Sequence, residues 1–477
     1  METTCVIQKP QKKKQKLNEE EDIDGNSKSL GNLPEEILRH ILSFLPTKDA
    51  VGTSLVSKRW EYLWASIPNL DFDMYSPAKK KRKRTLFMNF VDRVLCVRDS
   101  SVINRFTLCC DVLHDASRVN TWISAAVRHN VQMLDIKLDK FKGEFSLPYV
   151  LFTCKTLKSL HLCMPCMLKL PTAICFSNLK ILTIKNVTFS DECLTEKLFS
   201  DLPALEELQL HGCSWGDLKV VRISVPNLHF LSVKDFERPD SRNGKGCQVR
   251  IVGARLEEFH YGGLMFNEYR LFVSFKLKKA KIGTRAKNTS EQSAHRMHKL
   301  LTRLSPVQFL ILSSDVVKVL INAEELLTNM PTFNNVKDLE LNGTPLDLDC
   351  EALLEILQCF PRLENLKILR EINLSSSCEE DERILCPMPP CFLSHLKWIK
   401  VNCYNGDEKK LSVIKIFLKK AIALEEVVIS LENLGWNLEK QLKACKQLME
   451  LSRASQNCKI VLEWHDYSTE KECRIVL

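Results

Sequence analysis

Leu157-Lys-Ser-Leu160-His-Leu162 is a short phrase with a long echo: Leu179-Lys-Ile-Leu182-Thr-Ile184, Leu205-Glu-Glu-Leu208-Gln-Leu210 and Leu228-His-Phe-Leu231-Ser-Val233. The pattern apolar-x-x-apolar-x-apolar starts again at Leu256, Val307, Val336, Leu363, Leu396 and Leu424, with weaker copies at Ile103, Val131 and Leu277. The first four clear copies begin 22, 26 and 23 residues apart. The last two apolar positions alternate, as in a short strand with one buried face. The first packs the approach to that strand. One copy cannot bury its own apolar face, so neighbouring copies must stack. The segments between them include helical runs, at Asp191–Phe199 and Glu351–Phe360. Phrases such as Leu202-Pro-Ala-Leu205-Glu206 and Phe360-Pro-Arg-Leu363-Glu364 lead into the next strand.

This spacing resembles the leucine-rich repeat, whose period is about 20–29 residues. The resemblance implies an α/β solenoid in which the strand residues between the buried ones form a concave binding face. On that reading His161, Lys185, Gln209, His211, Lys234, Glu340 and Trp398 are candidates for holding a protein target. Ser159, Thr183, Glu207, Ser232, Asp338, Asn342 and Lys400 share the face. The chain departs from the family pattern after the strand, where Cys213 alone of the clear copies supplies the expected Asn or Cys. A regular asparagine ladder is therefore not expected, and the solenoid should be irregular.

Upstream of the repeats lies Leu30–Met74, LGNLPEEILRHILSFLPTKDAVGTSLVSKRWEYLWASIPNLDFDM. Apolar residues at 37, 38, 41, 42 and 45 make one helical stripe. Pro34 suits the start of a helix, and Glu35 and Glu36 sit where the helix dipole favours anions. Pro46 ends the stripe, and Asp49 is placed to cap a second helix. Ser57-Lys-Arg-Trp60 and Leu63-Trp64 add a third amphipathic piece. About 45 residues bury too little surface to stand alone. The succession Leu-Pro-x-Glu, Ile-Leu-x-x-Leu-Pro, Ser-Lys-Arg-Trp-x-x-Leu-Trp and Pro-x-Leu-Asp-Phe resembles a plant F-box. That resemblance implies docking on a Skp-family adaptor and, through it, a cullin ubiquitin ligase. The adaptor contacts it implies are Leu33, Pro34, Ile37, Leu38, Ile41, Leu45, Leu55, Val56 and Trp60.

Downstream, Cys386-Pro-Met-Pro-Pro-Cys-Phe392, Leu396-Lys-Trp-Ile-Lys-Val401, Leu424-Glu-Glu-Val-Val-Ile429 and Ser452–Val461 resemble the FBD domain of many plant F-box proteins. It reads as further strand–helix units capping the open solenoid end. The expected organisation is a disordered tail at 1–27, the F-box at 28–75 and a basic linker at 76–90. Leucine-rich repeats follow at 91–384, the FBD-like segment at 385–463 and a tail at 464–477. A fragment from about residue 86 onward is expected to keep the fold of the repeats and lose the adaptor.

The 477 residues are 45% apolar and carry a formal charge of +9. Lys12–Lys16 and Lys79–Arg84 together hold ten cations, so the remainder is close to neutral. Lys79, Lys80, Lys81, Arg82, Lys83 and Arg84 form an unbroken run that reads as a nuclear targeting signal. The protein is expected in the nucleus, with a share in the cytoplasm. There is no apolar run of membrane-span length and no signal-peptide core near Met1. The twenty cysteines are scattered through apolar runs, as buried reduced thiols are. Cys163 and Cys166 lack a second pair at zinc-finger distance, so neither metal nor cofactor is expected. No dinucleotide fingerprint, P-loop, nucleophile elbow or H-E-x-x-H motif occurs. A non-catalytic receptor subunit of a ubiquitin ligase, with no membrane partner, is the leading expectation. A nuclear repeat scaffold or a nucleic-acid-binding protein outside any ligase is the alternative.

Overall fold

The computed structural model describes residues 33–75, 84–235, 246–273, 276–284, 290–321, 323–343, 346–348, 350–369, 372–374, 388–404, 408–431, 445–466 and 471–477. The chain divides into two units, Met1–Trp64 and Ala65–Leu477.

In the N-terminal unit a helix spans Glu35–Ser43, entered through Pro34 with φ −53° and ended at Phe44. Leu38 and Leu42 are its buried residues. The next helix is Thr47–Gly52 and begins after Pro46. It therefore starts two residues before Asp49, which lies in its first turn as a favourable anion and not as the cap. Short 3-10 turns at Thr53–Leu55 and Lys58–Trp60 replace the expected longer helices. Arg59 Nη2 donates to Leu33 O at 2.5 Å and closes the unit on itself.

The described residues of the second unit form 21 strands. They are β1 Asn69–Asp73, β2 Arg105–Leu113, β3 Met133–Phe141, β4 Ser159–Cys163, β5 Ile181–Lys185, β6 Glu207–His211 and β7 Val220–Ser224. Then come β8 Phe230–Asp235, β9 Gln248–Gly253, β10 Glu258–Gly263, β11 Glu268–Val273, β12 Lys279–Gly283, β13 Phe309–Ser313 and β14 Asp338–Asn342. The last are β15 Leu346–Leu348, β16 Asn365–Ile368, β17 Ile372–Leu374, β18 Trp398–Tyr404, β19 Glu426–Leu431, β20 Lys459–Asp466 and β21 Lys471–Val476. Sixteen of them make one sheet in the order β1-β2-β3-β4-β5-β6-β8-β10-β12-β13-β14-β16-β18-β19-β20-β21. Every pair is parallel until β21, which returns antiparallel to β20.

Each of the thirteen repeat phrases supplies one strand of this sheet, from β2 to β19. The phrase explains the fold position by position. Leu157, Leu179, Leu205, Leu256, Leu363 and Leu396 stand just before their strands and are fully buried. The next two apolar residues, such as Leu208 and Leu210, point to the same buried face. Asp191 caps the Glu192–Ser200 helix by accepting from Leu194 N at 2.8 Å, which fixes where that connection becomes helical.

Two expected boundaries move. The end of the F-box segment also enters the sheet: Leu70 and Phe72 belong to β1, its first strand, in register with β2. The linker placed at 76–90 is helical from Arg84, within the Arg84–Val97 helix. Phe87 and Met88 are core residues there, so residues 84–90 belong to the second unit, while 76–83 lie outside the described residues. Within 385–463 the sheet runs on, since β16 pairs directly with β18. Finally, the tail placed at 464–477 contains the closing strand β21. The tail at 1–27 lies outside the described residues.

Two side sheets accompany the main one, β11-β9-β7 and β15-β17. The first is tied to the main sheet by a buried carboxylate. Asp235, at the end of β8, accepts from Tyr269 Oη at 2.7 Å and from Tyr261 Oη and Asn267 Nδ2 at 3.3 Å. Gly263 has φ +145° beside it, and a Cβ there would stand 2.1 Å from Asp235 O, so only glycine fits. Burial pushes the Asp235 carboxyl up to about 6, against the pull of its hydrogen-bond donors.

Candidate functional site

The open face of the main sheet is built from alternate strand positions. Parallel register aligns them into rows that run across the strands. One row reads Lys137, Cys163, Lys185, His211, Lys234 from β3 to β8. The neighbouring row reads Asp135, His161, Thr183, Gln209, Ser232, His260. Of the sequence candidates, Lys185, His211 and Lys234 are therefore side by side, with His161 and Gln209 next to them. Thr183 and Ser232 share the face, yet they are 1% and 4% exposed because longer neighbours cover them. Ser232 Oγ lies 3.1 Å from His211 Nε2. Burial, then Lys234 and Lys185, lower His211 to about 4, so this imidazole is neutral at pH 7. The charge of the row rests on its lysines.

Glu340 and Trp398 fall elsewhere, in a cavity of about 530 Å³ over β14 to β21. Trp398 Nε1 donates to Glu426 at 2.9 Å, and Lys367 Nζ sits 5.8 Å from the Trp398 ring centroid. Glu463 is held by Lys400 at 2.7 Å and by Arg474 at 2.5 Å. Asn402 Oδ1 is buried there without a hydrogen-bond partner. The volume suits a side chain or small group of a ligand. Lys137, Lys367, Glu426, Glu463 and Arg474 were not among the sequence candidates. Lys137 follows a weak repeat copy, whereas Arg474 arrives through β21, which carries no repeat phrase.

The N-terminal unit presents a different kind of surface. Leu55 is 91% exposed, Phe44 74% and Val56 72%, and Ile37, Leu45 and Tyr62 are exposed beside them in the sequence. Pro34 is exposed, and Leu33 and Ile41 are partly so. Two of the nine proposed adaptor contacts are corrected: Leu38 is 0% and Trp60 9% exposed, so both fill space in the folded chain and offer no surface. Phe44 and Tyr62 were missed because neither belongs to the apolar stripe.

Arg84 leaves the basic run. Its guanidinium donates to Asp111 O and Val112 O and pairs with Asp115 at 2.5 Å, at the start of a helix. Lys79–Lys83 lie outside the described residues. Among the described residues, no cluster of three or more His, Cys, Asp or Glu is arranged to hold a metal. No described helix is long and apolar enough to cross a membrane. The cysteines whose side chains are described carry free thiols.

Asp235 and His211 pull the pH dependence of stability in opposite directions. The raised Asp235 carboxyl makes the fold take up a proton, so its stabilisation is present below its ordinary range near 4 and lost as pH rises through about 6. The lowered His211 imidazole resists protonation, so its contribution is present above about 6.5 and lost as pH falls towards 4. Relative to wild type, Asp235→Asn should lose more stability on acidification from pH 6.5 to 4.5, by about 2 kcal/mol. His211→Gln should lose less. Urea midpoints across that range check both, and parallel curves for all three proteins would refute the assignment.

Profile comparisons match three segments: the F-box domain over 30–72, the leucine-rich repeats of the FBD-associated F-box protein At5g56370 over 119–261, and FBD over 386–429. Among curated proteins, the chain is 30% identical to the F-box/LRR-repeat protein At3g59200 of Arabidopsis thaliana, covering 90% of this chain and 87% of that one. It is 28% identical to the F-box/FBD/LRR-repeat protein At5g56420 of the same plant, covering 91% and 98%. It is 30% identical to the Arabidopsis F-box/LRR-repeat protein At3g59210, covering 92% and 95%.

Proposed function

The chain belongs to the family of plant F-box/FBD/LRR-repeat proteins, and from that premise we propose that it is the substrate-recognition subunit of a Skp–cullin–F-box ubiquitin ligase. F-box domains generally bind Skp adaptors. The observation that carries the reading here is the exposed apolar set of the N-terminal unit, Ile37, Phe44, Leu45, Leu55, Val56 and Tyr62. A soluble unit of this size with so many exposed large apolar groups is marked as an interaction surface. Leu33, Pro34 and Ile41 adjoin it in the sequence.

The target's place is the open face of the sheet. The lysine row through Lys185 and Lys234 favours acidic groups, His161, His211 and Gln209 offer neutral hydrogen bonds, and the cavity with Glu340 and Trp398 accepts an inserted side chain. In this role the chain needs no catalytic residue. It raises the effective concentration of the target near a charged ubiquitin carrier. Nuclear import is part of the proposal, through the five cations Lys79–Lys83.

Affinity capture of the tagged full-length chain from plant cells tests the reading. Adaptor and cullin should co-purify, together with a protein that accumulates when the ligase is inhibited. Capture of that protein without adaptor or cullin would instead support the scaffold alternative. Replacing Lys79–Lys83 by neutral residues should move a fluorescent fusion towards the cytoplasm. An unchanged distribution, also after neutralising Lys12–Lys14, would remove the import claim.

A further inference from the structure

We propose that the outer face of the β11-β9-β7 sheet is a docking strip for an acidic peptide segment of a partner protein. In this sheet Arg222, Arg250 and Arg270 stand directly opposite one another, in register on three adjacent parallel strands. The alternate residues Val221, Ile223, Val249, Ile251, Tyr269 and Leu271 are buried, which turns the three arginines to the outside. Adjacent strands lie about 4.8 Å apart, so the three guanidinium groups share a strip roughly 10 Å across.

Like charges directly opposite on neighbouring strands are destabilising, and little on this face offsets them. Arg270 Nε meets Glu268 at 2.7 Å, but Lys299 Nζ also approaches that carboxylate, at 3.8 Å. Arg250 Nε donates to Gln248, which is neutral, at 2.8 Å. Arg222 gives its backbone N–H, and not its guanidinium, to Glu196. Among the described residues, Arg270 and Lys299 thus pair with Glu268, while the guanidinium groups of Arg222 and Arg250 have no ion-pair carboxylate. Incoming carboxylates would relieve the repulsion and gain planar, bidentate partners. Phe272, 52% exposed one alternation further along β11, adds an apolar contact beside the charges.

The face favours a peptide over a nucleic acid. The Glu192–Ser200 helix packs along β7 and carries Glu192 and Glu196, so the basic path stops at that edge. A phosphate backbone needs a longer basic track. This strip is distinct from the lysine row of the main sheet and from the exposed apolar set of the N-terminal unit.

Fluorescence anisotropy with the full-length protein tests the proposal, using a short labelled Glu/Asp peptide, its Gln/Asn counterpart and a single-stranded RNA of similar length. The acidic peptide should bind, weaken as salt rises and outcompete both controls. The triple variant R222Q/R250Q/R270Q should lose about tenfold or more in affinity, as three exposed charge pairs of up to ~1 kcal/mol each allow. The triple variant K142Q/K155Q/R362Q, which removes scattered exposed cations, should bind like wild type. Should the first triple variant misfold, R250Q alone removes the central charge. It should lower affinity while leaving the thermal midpoint unchanged or higher. No saturable peptide binding, equal losses in the two triple variants, or a preference for RNA would each overturn the proposal.

Discussion

Replacing Leu55 and Val56 together by Asp should abolish capture of the proposed Skp adaptor and leave the fold intact. Both side chains face solvent, so carboxylates there cost the folded state little, within about 0.5 kcal/mol for an ordinary surface site. At the interface the same carboxylates lose their water against apolar groups. Anchors at an interface centre cost ~2 kcal/mol or more even on simple truncation, about thirtyfold in affinity, and a buried charge adds to that. Leu38→Ala provides the contrast. Leu38 is fully buried, so its truncation should reduce stability by about 2–5 kcal/mol and affect capture only through the unfolded fraction. Titration of purified adaptor, with thermal melts of each variant, separates the two. Normal adaptor binding by the Leu55/Val56 variant would mean that this apolar surface serves another partner.

That contrast also shows where sequence reading loses the site. A stripe of apolar residues marks one side of a helix but does not say which members are covered. Ile37 and Leu38 are consecutive and both apolar, yet one is exposed and the other buried. Phe44 lies just past the helix, where the 3.6-residue period no longer applies. On the sheet, periodicity worked better, because the two-residue alternation assigns each strand residue to one face. His161, Lys185, Gln209, His211 and Lys234 were legible for that reason. Which of them touch is a matter of register between repeats of unequal length, and the chain shows this only when folded. The β7, β9 and β11 arginines were missed because these strands lie between repeat phrases and form a sheet of their own.

The repeat phrase carried most of the architecture, since its thirteen copies all became strands of one sheet. At one place two signals overlap. Ile67-Pro-Asn-Leu70-Asp-Phe72 has the repeat spacing, apolar-x-x-apolar-x-apolar, but it also ends the F-box pattern. The segment serves both: it closes the F-box match, which runs to residue 72, and as β1 it pairs with β2 as any other repeat strand does.

Moving the boundary changes the expected behaviour of fragments. A chain of residues 65–477 should fold with a single cooperative transition, whereas 86–477 should aggregate or melt far lower. The longer fragment keeps β1, in which Leu70 and Phe72 are each 1% exposed. Phe72 packs against Phe90 and Phe106, with ring centroids 6.0 and 5.6 Å away. It also keeps Ile67 O, which accepts from the buried Arg98 Nη1 at 2.7 Å, and Pro68 O, which accepts from Asn104 N at 2.8 Å. Cutting at 86 removes all of these. Losing the core side chains of Leu70 and Phe72 costs about 2–5 and 3–5 kcal/mol, and the buried Arg98 Nη1 left without its Ile67 acceptor adds to it. The sum is comparable to the ~5–15 kcal/mol that holds a typical domain together. The cut also bares the edge of β2, where Phe106 and Leu108 are otherwise fully buried, and an open apolar strand edge invites aggregation. Size-exclusion chromatography and thermal melts of the two fragments decide the matter. Equal stability and monomeric behaviour would show that β1 is dispensable and return the domain boundary to the linker. If the prediction holds, only the 65–477 fragment can compete for target in cells without delivering it to the ligase.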